Sequence, residues 1–437
     1  MIDLYRTLFH EWKNRKLPNV IGRDVSLLKY ATIEPKKIIV TSGFRRTGKT
    51  YLLFHLIKEL LKDQTKEKII YINFEDERIP SNTEFLTDLI PAIKQVYGKP
   101  EFLFLDEVHN IPNWSKWLRR VYDTEEIRFF VTGSSSKLSS KEIPTELRGR
   151  FLELTVLPLS FMEFLRFKNI SSAKKTEYST EEIAEMQRLL MEYLKYGGLP
   201  EVVLATEDKK IEILQGYYNT IIRRDIIERF RIKSEENLKT LIRLLLNSTQ
   251  YTITKLYNSL KSLNYEIGKS TIQTFLDHIE NAYFMYSVYV FSPKAKNQLQ
   301  WPRKVYFIDT GFISQLSTKF SRDMGRLYEN IVFLELKRKK AKNPNLEIFY
   351  WKNQLHEEID FVIKRGLKVK QLIQVCYNAS DLETKKREIR ALSKASKELK
   401  CRNLLIITEE MEGKEKINSK TIKYQPLWKW LLSKNEM

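Results

Sequence analysis

Between Lys36 and Gly133 four short apolar runs recur: KKIIVTS (Lys36–Ser42), KIIYINF (Lys68–Phe74), EFLFLDE (Glu101–Glu107) and IRFFVTG (Ile127–Gly133). Each is hydrophobic almost without interruption, the pattern of a strand buried on both faces of a parallel sheet. The intervening stretches turn to helical spacing. In YLLFHLIKELLK, the residues Leu52, Leu53, Leu56, Ile57, Leu60 and Leu61 share one face. Strand–helix alternation of this kind predicts a doubly wound α/β domain.

The rhythm changes downstream. Asn169–Glu182 is polar and reads as a linker, and helical spacing then runs to about Phe230, broken at YGGLPEVV. From Tyr251 to Ile313 the pattern predicts a helix over Thr254–Ser262, a turn at LNYEIG, and a second helix over Lys269–Glu280 entered at Gly268. The runs YFMYSVYVF and KVYFID follow as strands, with Lys294, Lys296, Asn297 and Gln298 in a polar loop between them. This is the order of a winged helix-turn-helix. In a DNA reader of that kind, Lys269, Ser270 and Gln273 would face bases, while Lys294 and Lys296 would face phosphates. The same module used only for packing or protein contacts would look alike. A last α/β segment starts near Arg322, and no internal repeat is found.

Charge narrows the partners. The formal net charge is +20, which favours a polyanionic partner, nucleic acid before membrane, with a merely soluble basic protein as the alternative. The two cysteines, Cys376 and Cys401, make neither a disulfide framework nor a zinc ribbon, and they fit a reducing cytoplasm. No apolar secretory core opens the sequence, and no run approaches the ~18 apolar residues of a membrane span. A cytoplasmic, soluble protein without a membrane partner is expected.

Candidate chemistry concentrates in the first domain. TSGFRRTGKTY contains G-x-x-x-x-G-K-[ST] as Gly43, Gly48, Lys49 and Thr50, placed between an apolar strand and an amphipathic helix. Glycines let backbone N–H groups curl around phosphate oxygens, the lysine neutralises the β- and γ-phosphates, and the threonine hydroxyl ligates Mg²⁺. The whole loop, Arg45, Arg46, Thr47 and Tyr51 included, is the expected ATP-binding segment. FLFLDEVHN ends an apolar strand in Asp106 and Glu107. The first acid is suited to hold Mg²⁺ through water, the second to polarise the attacking water. After the next strand, Ser134 or Thr132 is placed to meet the γ-phosphate or that water. Arg148 and Arg150, expected beyond the catalytic edge of the sheet, are candidates for an arginine finger acting on a neighbouring subunit.

GFRRTGKT, FLDEVHNIPNWSKWLRRVYD, FFVTGSSSKLSSKE, TELRGR, LPLSFMEFL, YGGLPEVV and IIRRDIIERF follow in order. Together they resemble the AAA-type ATPases of archaea and bacteria whose core is fused to a nuclease-like C-terminal domain of unclear role. The resemblance spans nearly the whole chain. It implies an additional-strand P-loop ATPase with Asp106 and Glu107 as the Walker B pair, and paired loop arginines recur there. Where that family usually has Gln after the acidic pair, this chain has His109, whose role stays open.

In the last segment, GRLYENIVFLELKRKK carries Glu329 and Glu335, a hairpin follows with Asp360 starting its second strand, and KQLIQVCYN is the next strand. Restriction-nuclease-like domains have this layout, with carboxylates on Mg²⁺ and a lysine at the attacking water. Glu329 and Asp360 fit. Gln374 stands in place of the second acid and Cys376 in place of the lysine, for which Lys385 or Lys386 could substitute from elsewhere. His356, Glu357 and Glu358 lack metal-ligand spacing. The favoured reading is a nuclease fold kept as a binding or assembly platform.

The expected architecture is therefore multidomain α/β: a P-loop core over 1–168, a helical lid over 169–235, a winged helix over 236–320 and a restriction-nuclease-like domain over 321–437. The expected activity is Mg²⁺-dependent ATP hydrolysis that rearranges the attached modules on DNA, in a homo-oligomer. An ATP-regulated nuclease and a nucleotide-dependent protein-binding switch are the alternatives.

Overall fold

The computed structural model describes residues 2–133, 147–170, 177–317, 323–417 and 420–433. The chain divides into two compact units, Met1–Val156 and Leu157–Met437.

The first unit runs α1 (Ile2–Asn14), β1 (Ile38–Ser42), α2 (Lys49–Leu60), β2 (Ile69–Asn73), α3 (Thr83–Tyr97), β3 (Phe102–Asp106), α4 (Trp114–Thr124), β4 (Arg128–Thr132) and β5 (Phe151–Thr155). The strands form one five-stranded sheet in the order β2-β3-β4-β1-β5, every pairing parallel. All four predicted strands are present, and their continuous hydrophobicity has the expected cause. Ile38 to Val40, Leu103 to Leu105 and Phe129 to Val131 are buried among helices on both faces. β1, which enters the phosphate loop, and β3, which ends in Asp106, are separated by β4. This is the parallel sheet of a P-loop nucleoside triphosphatase core with an added central strand. In α1, Tyr5, Phe9 and Trp12 fall at helical spacing on the buried face, and two of them anchor to backbone, Tyr5 Oη to Phe85 O at 2.5 Å and Trp12 Nε1 to Ile69 O at 2.7 Å.

β5 escaped the sequence pattern. FLELT is half-exposed along its whole length, so it lacks the run of buried residues that marks the other four strands.

The second unit opens with α5 (Phe161–Phe167), α6 (Thr180–Tyr196), α7 (Pro200–Leu204) and α8 (Glu207–Thr220), which continues as a π-helix over Ile221–Glu228. The break at YGG has a packing cause. A Cβ on Gly197 would lie 1.6 Å from Asp309 Oδ1, and one on Gly198 2.6 Å from Leu159 O. Buried Asp309 accepts the N–H groups of Gly198 at 2.7 Å and Gly311 at 2.8 Å.

α9 (Glu235–Leu246), β6 (Gln250–Tyr251), α10 (Ile253–Ser262), α11 (Lys269–Asn281), β7 (Met285–Val288), α12 (Ala295–Gln300) and β8 (Arg303–Phe307) come next. The three strands form an antiparallel sheet in the order β6-β8-β7. The expected polar loop between the last two strands contains the short helix α12. After α13 (Thr310–Leu316) and α14 (Met324–Lys342), a six-stranded mixed sheet has the order β13-β14-β12-β11-β10-β9. Its strands are β9 (Leu346–Lys352), β10 (Glu358–Arg365), β11 (Lys368–Cys376), β12 (Leu404–Thr408), β13 (Gly413–Ile417) and β14 (Lys420–Pro426). α15 (Leu382–Glu398) packs on β10 and β11, and α16 (Leu427–Leu432) ends the described chain. Among the described residues no helix is long and apolar enough to cross a membrane.

Candidate active site

The phosphate loop joins β1 to α2 at the C-terminal edge of the parallel sheet, where open α/β folds bind ligands. Gly43 has φ 138°, and a Cβ there would lie 2.4 Å from Val156 O. Gly48 takes a left-handed φ of 89° as the residue before α2 and supplies no side-chain cap, so the first N–H groups of the helix face the loop without one. Both glycines are thus required by backbone geometry. Lys49 is 5% exposed and donates to the carbonyls of Gly43 (3.1 Å) and Phe44 (3.0 Å), which holds the ammonium inside the loop. Buried Thr47 donates to Phe44 O at 2.9 Å, and Arg23 donates to Thr47 O at 2.8 Å.

The two loop arginines differ. Arg45 is mostly buried and lies 3.8 Å from Glu75, whereas Arg46 is exposed and adopts a left-handed φ of 65°. Tyr51 is exposed and packs edge-on against Phe54.

Asp106 is 2% exposed. It accepts hydrogen bonds from Tyr71 Oη at 2.7 Å and from Thr132 Oγ1. Burial pushes its carboxyl above the usual aspartate range, against the lowering effect of Thr132, Tyr71 and Thr50. Thr50, at the end of the phosphate loop, lies close enough to the end of β3 to bear on this carboxyl. Glu107 follows in a left-handed turn (φ 55°, ψ 35°), a conformation that a long side chain adopts at a cost and that clusters at functional sites. Its N–H is accepted by Thr132 Oγ1 at 3.1 Å, and its carboxylate lies 3.4 Å from His109 Nδ1. Thr132 therefore serves both acids, donating to one side chain and accepting from the other backbone. Ser134 lies outside the described residues.

Arg148 and Arg150 are not beyond the catalytic edge. Arg150 O accepts from Ile38 N at 2.9 Å and Ile38 pairs with Phe151, so both arginines precede β5 at the opposite end of the sheet. A five-residue strand spans about 17 Å, which removes them from their own phosphate loop. Arg150 is held by Asp123 at 3.0 Å, and Arg148 is exposed.

In the second unit, Lys269 and Ser270 are exposed at the start of α11, and Lys294 and Lys296 are exposed between β7 and β8. Gln273 is half-buried and donates to Asp277 at 2.8 Å.

The acids of the last segment do converge, on a partner that the sequence did not suggest. Lys304 of β8 is 3% exposed, and its Nζ lies 2.8 Å from Glu329, 2.8 Å from Glu358 and 2.7 Å from Asp360. Lys385 and Lys386 are engaged elsewhere, with Glu415 at 3.0 Å and Glu383 at 3.9 Å. Asp360 also accepts Val375 N at 2.8 Å, and its own N–H reaches Gln374 Oε1 at 3.2 Å, while Gln374 donates to Glu388 at 2.7 Å. Cys376 is a core residue whose thiol burial pushes up to about 11. Glu335 pairs with Arg338, and Glu357 with Lys394 and Arg390. Burial works against the Lys304 ammonium, but Asp360, Glu329 and Glu358 outweigh it and hold the group protonated well above the usual lysine range. The acids outnumber that ammonium. Burial pushes Asp360 up to about 7, while Lys304, Gln250 and Lys352 hold Glu358 down to about 2 against its own burial. Among the described residues no group of His, Cys, Asp and Glu is arranged to hold a metal ion.

Residues 35–165 match the model of a family described as an AAA domain, and residues 187–323 and 324–430 match two domains of unknown function, DUF8612 and DUF4143. Uncharacterized protein MJ1544 of Methanocaldococcus jannaschii is 41% identical over 429 residues, covering 96% of this chain and 92% of that protein. The chain belongs to its family. An uncharacterized protein of Haemophilus influenzae is 31% identical over 308 residues, 69% of this chain and 74% of its own. Among solved structures, the Walker-type ATPase PABY2304 of Pyrococcus abyssi aligns with a TM-score of 0.45 and 14% identity, over 71% of this chain and 99% of that one. In this family member the first unit carries the AAA-type P-loop core.

Proposed function

We propose that the protein is a Mg²⁺-dependent ATPase that acts on DNA. The observation that carries this reading is a formed phosphate loop, with Lys49 held on the Gly43 and Phe44 carbonyls, at the sheet edge where β3 ends in the buried acids Asp106 and Glu107. The uncapped start of α2, entered from Gly48 in a left-handed conformation, fits a triphosphate. In this reading Lys49 leaves the loop carbonyls for the β- and γ-phosphates. Thr50 and Asp106 are the residues that would hold Mg²⁺. The ion, when bound, neutralises charge developing on the phosphate oxygens. Tyr71 and Thr132 orient Asp106, and Thr132 fixes the backbone of Glu107 so that its carboxylate takes the proton of the attacking water. His109, 3.4 Å from that carboxylate, restrains it before substrate arrives.

Arg148 and Arg150 lie at the far end of the sheet, so an arginine finger drawn from them acts only on a neighbour's nucleotide, in a homo-oligomer. The α–β–α–α–β–α–β order of residues 235–307, with only the short α12 between its last two strands, supports a winged helix. Exposed Lys269, Ser270, Lys294 and Lys296, with a net charge of +20, support contact with DNA through its phosphates. The C-terminal mixed sheet is read as a restriction-nuclease-like platform. The test is ATP turnover by the full chain with and without double-stranded DNA. Stimulation that disappears in Lys49→Ala and weakens steeply with salt is expected. Turnover that DNA leaves unchanged would remove DNA from the reading.

A further inference from the structure

The acids Glu329, Glu358 and Asp360 come from α14 and β10, yet the cation between them belongs to β8, on the other sheet of the unit. We infer that the Lys304 ammonium is the resident cation of this carboxylate site, taking the place a divalent metal would occupy, and that it fastens the three-stranded sheet to the C-terminal sheet as one body.

Everything around the ammonium is built to keep it. Tyr306, also on β8, donates to Glu329 at 2.5 Å, and Gln250 of β6 donates to both oxygens of Glu358 at 2.9 and 2.8 Å. Val375 N–H takes the second oxygen of Asp360. The carboxylate lone pairs are thus shared out among β6, β8 and β11, and a lysine side chain supplies the charge that a metal would otherwise bring. An ammonium has three donors to give, and three carboxylates lie within 2.8 Å of it.

The seam continues beyond the ion cluster. Asn330 of α14 reads the backbone of β8 as a strand would, accepting Phe307 N at 2.8 Å and donating to Phe307 O at 2.9 Å. Tyr306 stacks on Phe333 with centroids 4.4 Å apart. Main-chain bonds from Phe291 N to Tyr350 O (2.6 Å) and from Tyr350 N to Tyr289 O (3.1 Å) stitch the end of β7 to β9. A hinge between these sheets would have to break a buried ion cluster, a side-chain clamp and backbone pairing together. Motion driven by nucleotide therefore moves both sheets together. The cation assignment stands apart from the ATPase reading, since no residue of the phosphate loop takes part.

The test uses the full chain. Thermal unfolding is followed for wild type, Lys304→Met, Asp360→Asn and the double variant. Lys304→Met should lower the midpoint of the affected transition by on the order of 10 °C, because it strands buried carboxylates. Asp360→Asn should cost clearly less in that background than in wild type. Additive losses would overturn the pairing. Mn²⁺ binding, read by electron paramagnetic resonance in Lys49→Ala to silence the phosphate loop, should show no component that Asp360→Asn removes. An Asp360-dependent Mn²⁺ signal would establish a metal site instead, and this arm holds even where Lys304→Met fails to fold. For the one-body claim, spin labels at the exposed positions Leu299 and Leu367 should keep one distance distribution with and without ATP. A distribution that shifts with nucleotide would overturn the claim.

Discussion

Thr132→Val is the substitution that reads the acid pair most directly. Thr132 is fully buried, and its hydroxyl sits between Asp106 and the N–H of Glu107. Valine keeps the shape and β-branching but can neither donate nor accept. One bond to a carboxylate disappears, worth about 1.5–3 kcal/mol, and a buried N–H loses its acceptor at a further cost of about 1–3 kcal/mol. Allowing for some relaxation, the first unit should lose on the order of 3 kcal/mol, or a midpoint drop of about 6–12 °C for a unit of this size. Differential scanning calorimetry of the full chain gives the number, with the transition of the first unit recognised as the one that nucleotide shifts. Thr132→Ser, which keeps the hydroxyl, should recover most of the loss. ATP turnover should fall in parallel, since both acids lose their orientation. A valine variant that melts within about a degree of wild type and hydrolyses ATP at its rate would refute the assigned role of Thr132.

Other outcomes follow from the same geometry. Gly43→Ala forces a Cβ to 2.4 Å from Val156 O at φ 138°; strain of about 1–3 kcal/mol should weaken ATP binding roughly ten-fold or more, measured with a fluorescent nucleotide. Tyr71→Phe removes one donor from Asp106, so half-maximal turnover should need about 3–10 times more Mg²⁺, a shift that an undisturbed Mg²⁺ titration would contradict. Asp309 is buried and its pKa is pushed up to about 7 by that burial, so the folded state holds a proton that the unfolded chain releases near 4. Its contribution to stability is full below pH 4 and is lost as pH rises to about 7, at up to about 1.4 kcal/mol per pH unit. Asp309→Asn, which cannot ionise, should flatten urea-denaturation stability over that window.

What the sequence disclosed, and what it withheld, divides along physical lines. Fully buried parallel strands are written as unbroken apolar runs, so β1 to β4 and the loop between β1 and α2 were legible. β5 is half-exposed and carries no such signature, and without it Arg148 and Arg150 were set at the wrong edge. Tyr71 was hidden because a single hydroxyl in an apolar strand looks like one more aromatic core residue. The Lys304 cluster depends on β8 meeting β10 and α14, a contact between segments 25 to 56 residues apart that no local spacing records. Glu329 and Asp360 could be picked out as acids in a familiar layout; that a lysine of another sheet answers them could not.

The central claim is that the phosphate loop and the acid pair hydrolyse ATP, and phosphate release by wild type, Lys49→Ala and Glu107→Gln tests it most directly. Mg²⁺-dependent release by wild type is predicted, with nucleotide binding lost in Lys49→Ala. Glu107→Gln should still bind ATP while turnover falls about 100-fold or more, as expected when a general base is removed. Turnover that survives Glu107→Gln, or a wild type that binds ATP and never releases phosphate, would contradict the account.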